Sequence, residues 1–154
     1  MHGKSVAVAA GVLAAVVLLA ACGGGSGSTA DNGISKAAFI KEAGAICSKA
    51  GRKRHTAMEV NEERLATQGT ISIPLERKEL VTKALAPVDR WLVVELSKLE
   101  PPSADAAKIE GMLEGFEQGI RRLVDNPSLA FEATTILTPA NATAEKYGLP
   151  ECWV

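Results

Sequence analysis

Beyond residue 34 the apolar positions recur at spacings of three, four and seven, the period of one helical face. Phe39, Ala43, Ile46, Ala50, Ala57 and Leu65 make the first stripe. It predicts a helix that opens at Ser35, whose hydroxyl suits an N-cap, and fades near Gln68-Gly69. Cys47 falls beside Ile46, at the edge of this face. A second stripe follows Pro74, a proline near the first turn where it is tolerated. It comprises Val81, Leu85, Val88, Leu92, Leu96 and Leu99. Pro87 interrupts it. Proline has no N–H and crowds the preceding turn, so a kink or a break is expected there. Glu100-Pro101-Pro102 ends this helix.

A third helix is expected after Ser103 as cap. Ala106, Ile109, Met112, Leu113, Phe116, Ile120, Leu123 and Val124 fall on one face about 120° wide. Glu110, Glu114, Glu117 and Arg121 gather on another. A fourth begins around Pro127-Ser128 and carries Leu129, Ala133, Ile136, Ala140, Ala144 and Tyr147. Pro139 should kink it. Gly148 suits the residue just past a helix end, Leu149 can cover the last turn, and Pro150 forbids continuation. Strand-like alternation is confined to Thr70-Ile71-Ser72-Ile73, too short for a sheet. The pattern predicts an all-α chain, a kinked four-helix bundle.

The N-terminus is different material. Lys4 precedes an apolar run from Val6 to Ala21, the pattern of an export signal. The run ends in Leu19-Ala20-Ala21-Cys22, which resembles a bacterial lipobox. The resemblance implies that the Cys22 thiol is joined to diacylglycerol and that cleavage leaves Cys22 as the first residue. The alternative is an uncleaved anchor, because the run is near the lower length limit of a spanning helix. Either way the remainder faces the outside of the membrane. Residues 23–33, GGGSGSTADNG, read as a flexible tether with an average span of roughly 18 Å. The organisation expected is therefore a signal peptide at 1–21, a lipidated Cys and linker at 22–34, and a helical domain at 35–154.

This division changes what the composition means. The 154 residues are 47% apolar, with 17 Lys+Arg, 18 Asp+Glu and a net charge of −1. Mean hydropathy is +0.10. Removing residues 1–21 takes away sixteen apolar residues and a single charge, Lys4. An ordinary soluble composition is left, with much Ala among its apolar residues. The near balance of charge and the pI of about 6.1 argue against nucleic acid as partner, which calls for a basic excess.

With Cys22 assigned to lipid, Cys47 and Cys152 remain. An exported chain meets an oxidising compartment, so a disulfide between them is expected. One buried and one free thiol is the alternative. Such a bridge would tie the tail after helix 4 to the middle of helix 1, with Trp153 packed beside it. The segments Phe39-Ile40-x-x-Ala43-x-x-Ile46-Cys47, Leu99-x-Pro101-Pro102 and Tyr147-Gly148-Leu149-x-x-Cys152 resemble small helical lipoproteins of high-GC Gram-positive bacteria. That resemblance implies a two-Cys helical fold and carries no catalytic residues across.

Candidate chemistry is sparse. Lys49, Arg52, Lys53 and Arg54, with His55, form a basic run that could contact anionic lipid or an acidic polymer. It could equally be a solvated helix face balanced by Glu59, Glu62 and Glu63. His55 and Glu59 share a face at i, i+4, half a metal site at most, and a surface ion pair is the simpler expectation. Gly111, Gly115 and Gly119 form a repeated Gly-x-x-x-Gly, of which Gly119 alone borders the buried stripe. The row could be a close helix contact or a docking line for a partner helix. Asn141-Ala142-Thr143 matches a glycosylation acceptor, and a chance match is the simpler expectation. No nucleophile elbow, zinc-protease or phosphate-loop motif is present. No metal or cofactor is expected. The function expected is a non-catalytic, lipid-anchored module on the outer face of the cell membrane, presented to an envelope protein, polymer or lipid. The alternative is a carrier holding a small ligand or lipid between helices 2 and 4, opened by Pro87 and Pro139.

Overall fold

The computed structural model describes residues 34–67 and 78–154. The expected signal, Cys22, the expected linker, Pro74 and the Thr70–Ile73 alternation lie outside the described residues. The rest falls in one compact unit, Asp31–Val154, and is all-α.

Helix α1 is Lys36–Thr67. Ser35 opens it as expected: its Oγ accepts the Ala38 N–H at 3.2 Å. Its buried line is Phe39, Ala43, Cys47, Ala50, Asn61 and Leu65. Cys47 is therefore at the centre of the face, and Ile46 is the edge residue, half-buried against the core.

The second helix is described from Lys78. Leu80–Leu85 is π-helical, and the α-helix proper, α2, is Ala86–Ser97. The Ala86 N–H reaches back to the Val81 carbonyl, five residues away. Pro87 explains the wider turn. It cannot donate to Lys83, and its ring crowds that carbonyl, so a π-turn lets the chain pass without breaking.

The sharp stop at Pro101-Pro102 is followed by a 3-10 turn, Ser103–Asp105, and then α3, Ala106–Asp125. The α-helix thus starts three residues after Ser103. Its buried face is the expected one, Ile109, Met112, Phe116, Ile120 and Leu123, joined by Gly119.

A second 3-10 turn, Pro127–Glu132, occupies the expected start of the fourth helix, and α4 is Ala133–Tyr147. The tighter turn shifts the helical phase. Leu137, Ala140, Asn141, Ala144 and Tyr147 are buried, while Ile136 is half-buried. Pro139 lies inside α4. Gly148 ends the helix in the left-handed region at φ 103°. Its N–H meets the Glu145 carbonyl at 3.0 Å, and the Leu149 N–H meets that of Ala144 at 2.9 Å. This is a Schellman cap, covered by buried Leu149.

Helices neighbouring in sequence pack on one another, and α1 closes the bundle against the C-terminal turn Pro150–Cys152. Cys47 and Cys152 are joined, with Cα atoms 4.7 Å apart across 105 residues of sequence. Both are fully buried. Around the bridge, Phe39 meets Tyr147 edge to face at 6.0 Å, and the Tyr147 hydroxyl donates to Asp105 Oδ2 at 2.9 Å.

Trp153 does not pack beside the disulfide; it is 53% exposed. The backbone at 153 is extended, so successive side chains alternate: Cys152 points inward, Trp153 outward and Val154 back toward the core. The main chain is held there by Arg54, whose Nη1 donates to the Trp153 carbonyl. Asn141 brackets Val154, accepting its N–H at 2.9 Å and donating to its carbonyl at 3.2 Å.

Candidate functional site

Three features stand out: the basic run of α1, a groove between α2 and α3, and a cavity between the second and fourth helices.

The basic run is not one patch. Helical geometry turns consecutive residues by about 100°, and the four side chains part accordingly. Arg54 faces inward. Its Nε is 2.5 Å from Asp89 Oδ1, with side chains 16% and 10% exposed. It is a strut between α1, α2 and the tail, and it leaves the set of candidate surface contacts. Its Nη2 is buried without a hydrogen-bond partner. Lys49 and Lys53 lie over the Trp91 ring of α2, with Nζ atoms 5.3 and 4.8 Å from its centroid. Arg52 is exposed. His55 Nδ1 and Glu59 Oε2 lie 3.4 Å apart on an exposed face of α1. Among the described residues no group of three His, Cys, Asp or Glu side chains is placed to hold a metal ion. No described helix is long and apolar enough to cross a membrane.

Burial pushes the Asp89 carboxyl above the usual range, opposed by the Arg54 guanidinium. Glu79 moves the other way: hydrogen bonds from Lys83 and Arg64 hold it below that range. Asn61 also accepts from Arg64, at 2.9 Å.

The groove, of about 950 Å³, runs between α2 and α3. Val93, Val94, Leu99, Ile109, Leu113 and Ile120 contribute its apolar wall, and Val94 is 52% exposed. Glu110, Glu114 and Glu117 line its α3 side, with Arg90 on the α2 side. Glu117 pairs with Arg121 at 3.2 Å. Glu114 accepts from Gln118 at 2.8 Å, and neither it nor Glu110 has a cationic partner among the described residues.

The cavity, of about 450 Å³, lies between the second helix and α4. Val81 and Leu85 of the π-turn, Asp89, Leu137, Asn141 and Trp153 are among its walls.

The glycine row is used inside the fold. A Cβ at Gly119 would lie 2.6 Å from Leu137 Cδ2, and one at Gly115 would lie 3.2 Å from Ala140 Cβ. So α4 occupies two of the three positions, not one, and Gly111 alone is open.

Sequence reading missed Asp89, and offered Asn141 only as a glycosylation match rather than as the buried clamp on Val154. Asp89 stands four residues after Leu85 and three before Leu92, so the spacing itself placed it on the buried stripe. Asn141 stands next to Ala140 and four residues after Leu137, which likewise puts it on the core face.

No protein-family model, curated protein or solved structure matches this chain.

Proposed function

We propose that the chain is an extracytoplasmic lipoprotein, anchored through Cys22, whose helical domain is a non-catalytic docking module. The observation that carries the docking reading is the α2–α3 groove, with its largely half-buried apolar wall, exposed at Val94, and with Glu110 and Glu114 on its α3 side lacking a cationic partner among the described residues. Its occupant is an amphipathic helix of an envelope protein, with an apolar stripe and Lys or Arg along one flank. Ile109 to Ile120 spans about 16 Å along α3, enough for about three turns of a partner. Apolar contact supplies affinity, and Glu110 and Glu114 fix the orientation through complementary charge.

The test is a photo-crosslinking residue at Val94 in cells, with one at exposed Val60 on α1 as control. The expected adduct forms from position 94 alone, maps to a basic amphipathic segment, and is lost with Glu114→Lys. An adduct indifferent to Glu114→Lys, or none, removes the docking reading. Mass spectrometry of the mature N-terminus tests the anchor separately. An unmodified peptide running from Ala21 to Gly23 removes it.

A second reading, a small-ligand carrier, is favoured by the cavity between the helices that carry Pro87 and Pro139. Its volume suits a small ligand. Native mass spectrometry of protein from its own membrane should then show a bound molecule, lost with Leu137→Trp.

A further inference from the structure

We propose that Lys49, Lys53 and Trp91 form a receptor for the phosphate of anionic lipid headgroups. Lys49 and Lys53 are four residues apart, on consecutive turns of one face, with Cβ atoms about 5–6 Å apart. Like charges so placed repel. Here both ammonium groups rest over one indole, at 5.3 and 4.8 Å from its centroid, and the negative face of the ring attracts each. Trp91 is half-buried and packed against the main core, so the platform is rigid. Neither ammonium has a carboxylate partner among the described residues. Glu95, one turn on from Trp91, is taken by Lys98 at 2.6 Å. Arg54, the other cation of the run nearest this face, is turned inward to Asp89.

Two uncompensated point charges on a fixed support suit a phosphate, which accepts from both. The site is open, and a free ion there competes with water and salt, whereas a bilayer offers many phosphates at once and its surface field adds to each contact. That selects a lipid surface over inorganic phosphate. The proposal does not rest on the lipid anchor, because the test uses a chain without Cys22.

The compact unit Asp31–Val154 has its own core and disulfide and is the form to use. At low salt it should sediment with vesicles of phosphatidylglycerol and phosphatidylcholine and stay in solution with phosphatidylcholine alone. Lys49→Gln with Lys53→Gln should weaken this about 30-fold. Lys41→Gln with Lys146→Gln, a charge-matched pair elsewhere on the surface, should leave it nearly unchanged. All four side chains are exposed, and circular dichroism checks that both variants fold. No sedimentation with the anionic vesicles overturns the proposal. So does an equal loss from both pairs, which would make the attraction diffuse charge. Titration with inorganic phosphate is the last arm: shifts at Lys49 and Lys53 without vesicle binding would assign the pair to free phosphate and overturn the lipid assignment.

Discussion

Arg54 on α1 holds Asp89 on α2, Nε to Oδ1 at 2.5 Å, in the seam between the two helices. The same guanidinium reaches the Trp153 carbonyl, so one side chain joins three segments. Truncating one partner strands the other charge away from water. Arg54→Met should lower stability to urea by about 3 kcal/mol, and adding Asp89→Leu should restore much of it. Asp89 also carries a pH signature. Its folded pKa lies above the ordinary 3.8, so its stabilising contribution is complete below about that pH and fades as pH climbs through the folded value. In Arg54→Met the opposing guanidinium is gone. The carboxyl, followed by NMR, should titrate higher still.

Glycine substitutions along α3 should split in sign. Gly119→Ala drives a methyl into Leu137 and should destabilise by about 1–3 kcal/mol. Gly111→Ala meets nothing within 4 Å and should stabilise by about 1 kcal/mol through helix propensity. Thermal unfolding of the two variants checks both. Equal effects would mean that α4 does not lie against the row.

The Asp31–Val154 unit, unfolded without reductant, should titrate with no free thiol. Replacing Cys47 and Cys152 together by Ala should cost about 2–5 kcal/mol. A stability unchanged by that replacement would contradict the central place of the bridge.

Burial, reinforced by the Asp105 carboxylate, pushes the Tyr147 hydroxyl from 10.0 up to about 12. Because the folded value is raised, its contribution to stability is intact below pH 10 and is lost between about 10 and 12. Ultraviolet titration should show the late ionisation. Asp105→Asn should bring it down.

The helices themselves are plain in the spacing, and so are two of the ends that depend on local chemistry, whereas Ser103 and Pro127-Ser128 open 3-10 turns rather than the α-helices expected there. Ser35 and Gly148 act where they stand because a cap needs only a hydroxyl or a left-handed residue. The phase of each face was harder. Ile46 outranks Cys47 in size and Ile136 competes with Leu137, and sequence alone favours the larger or better-spaced residue. Tertiary linkage decided otherwise: the bridge pulls Cys47 to the centre, and a 3-10 turn before α4 rotates its face. Charge followed along the chain groups Arg54 with its basic neighbours. Read at helical spacing, Cys47, Ala50, Arg54, Ala57, Asn61 and Leu65 form one line, and Asp89 sits on the matching line of the next helix. Two opposite charges on facing core stripes could have been paired from sequence. The Lys49–Trp91–Lys53 contact could not, since it depends on how the two helices register.

The bridge between Cys47 and Cys152 also sets how the domain carries mechanical load. Tension applied between the segment before α1 and the C-terminal tail would pass through the first third of α1, cross the sulfur bond and leave by the tail. The intervening helices, including both walls of the α2–α3 groove, hang from that short path as an unloaded loop. A domain pulled on at its ends would carry the force along that short path, and residues 48–151 would stay bounded by the covalent link.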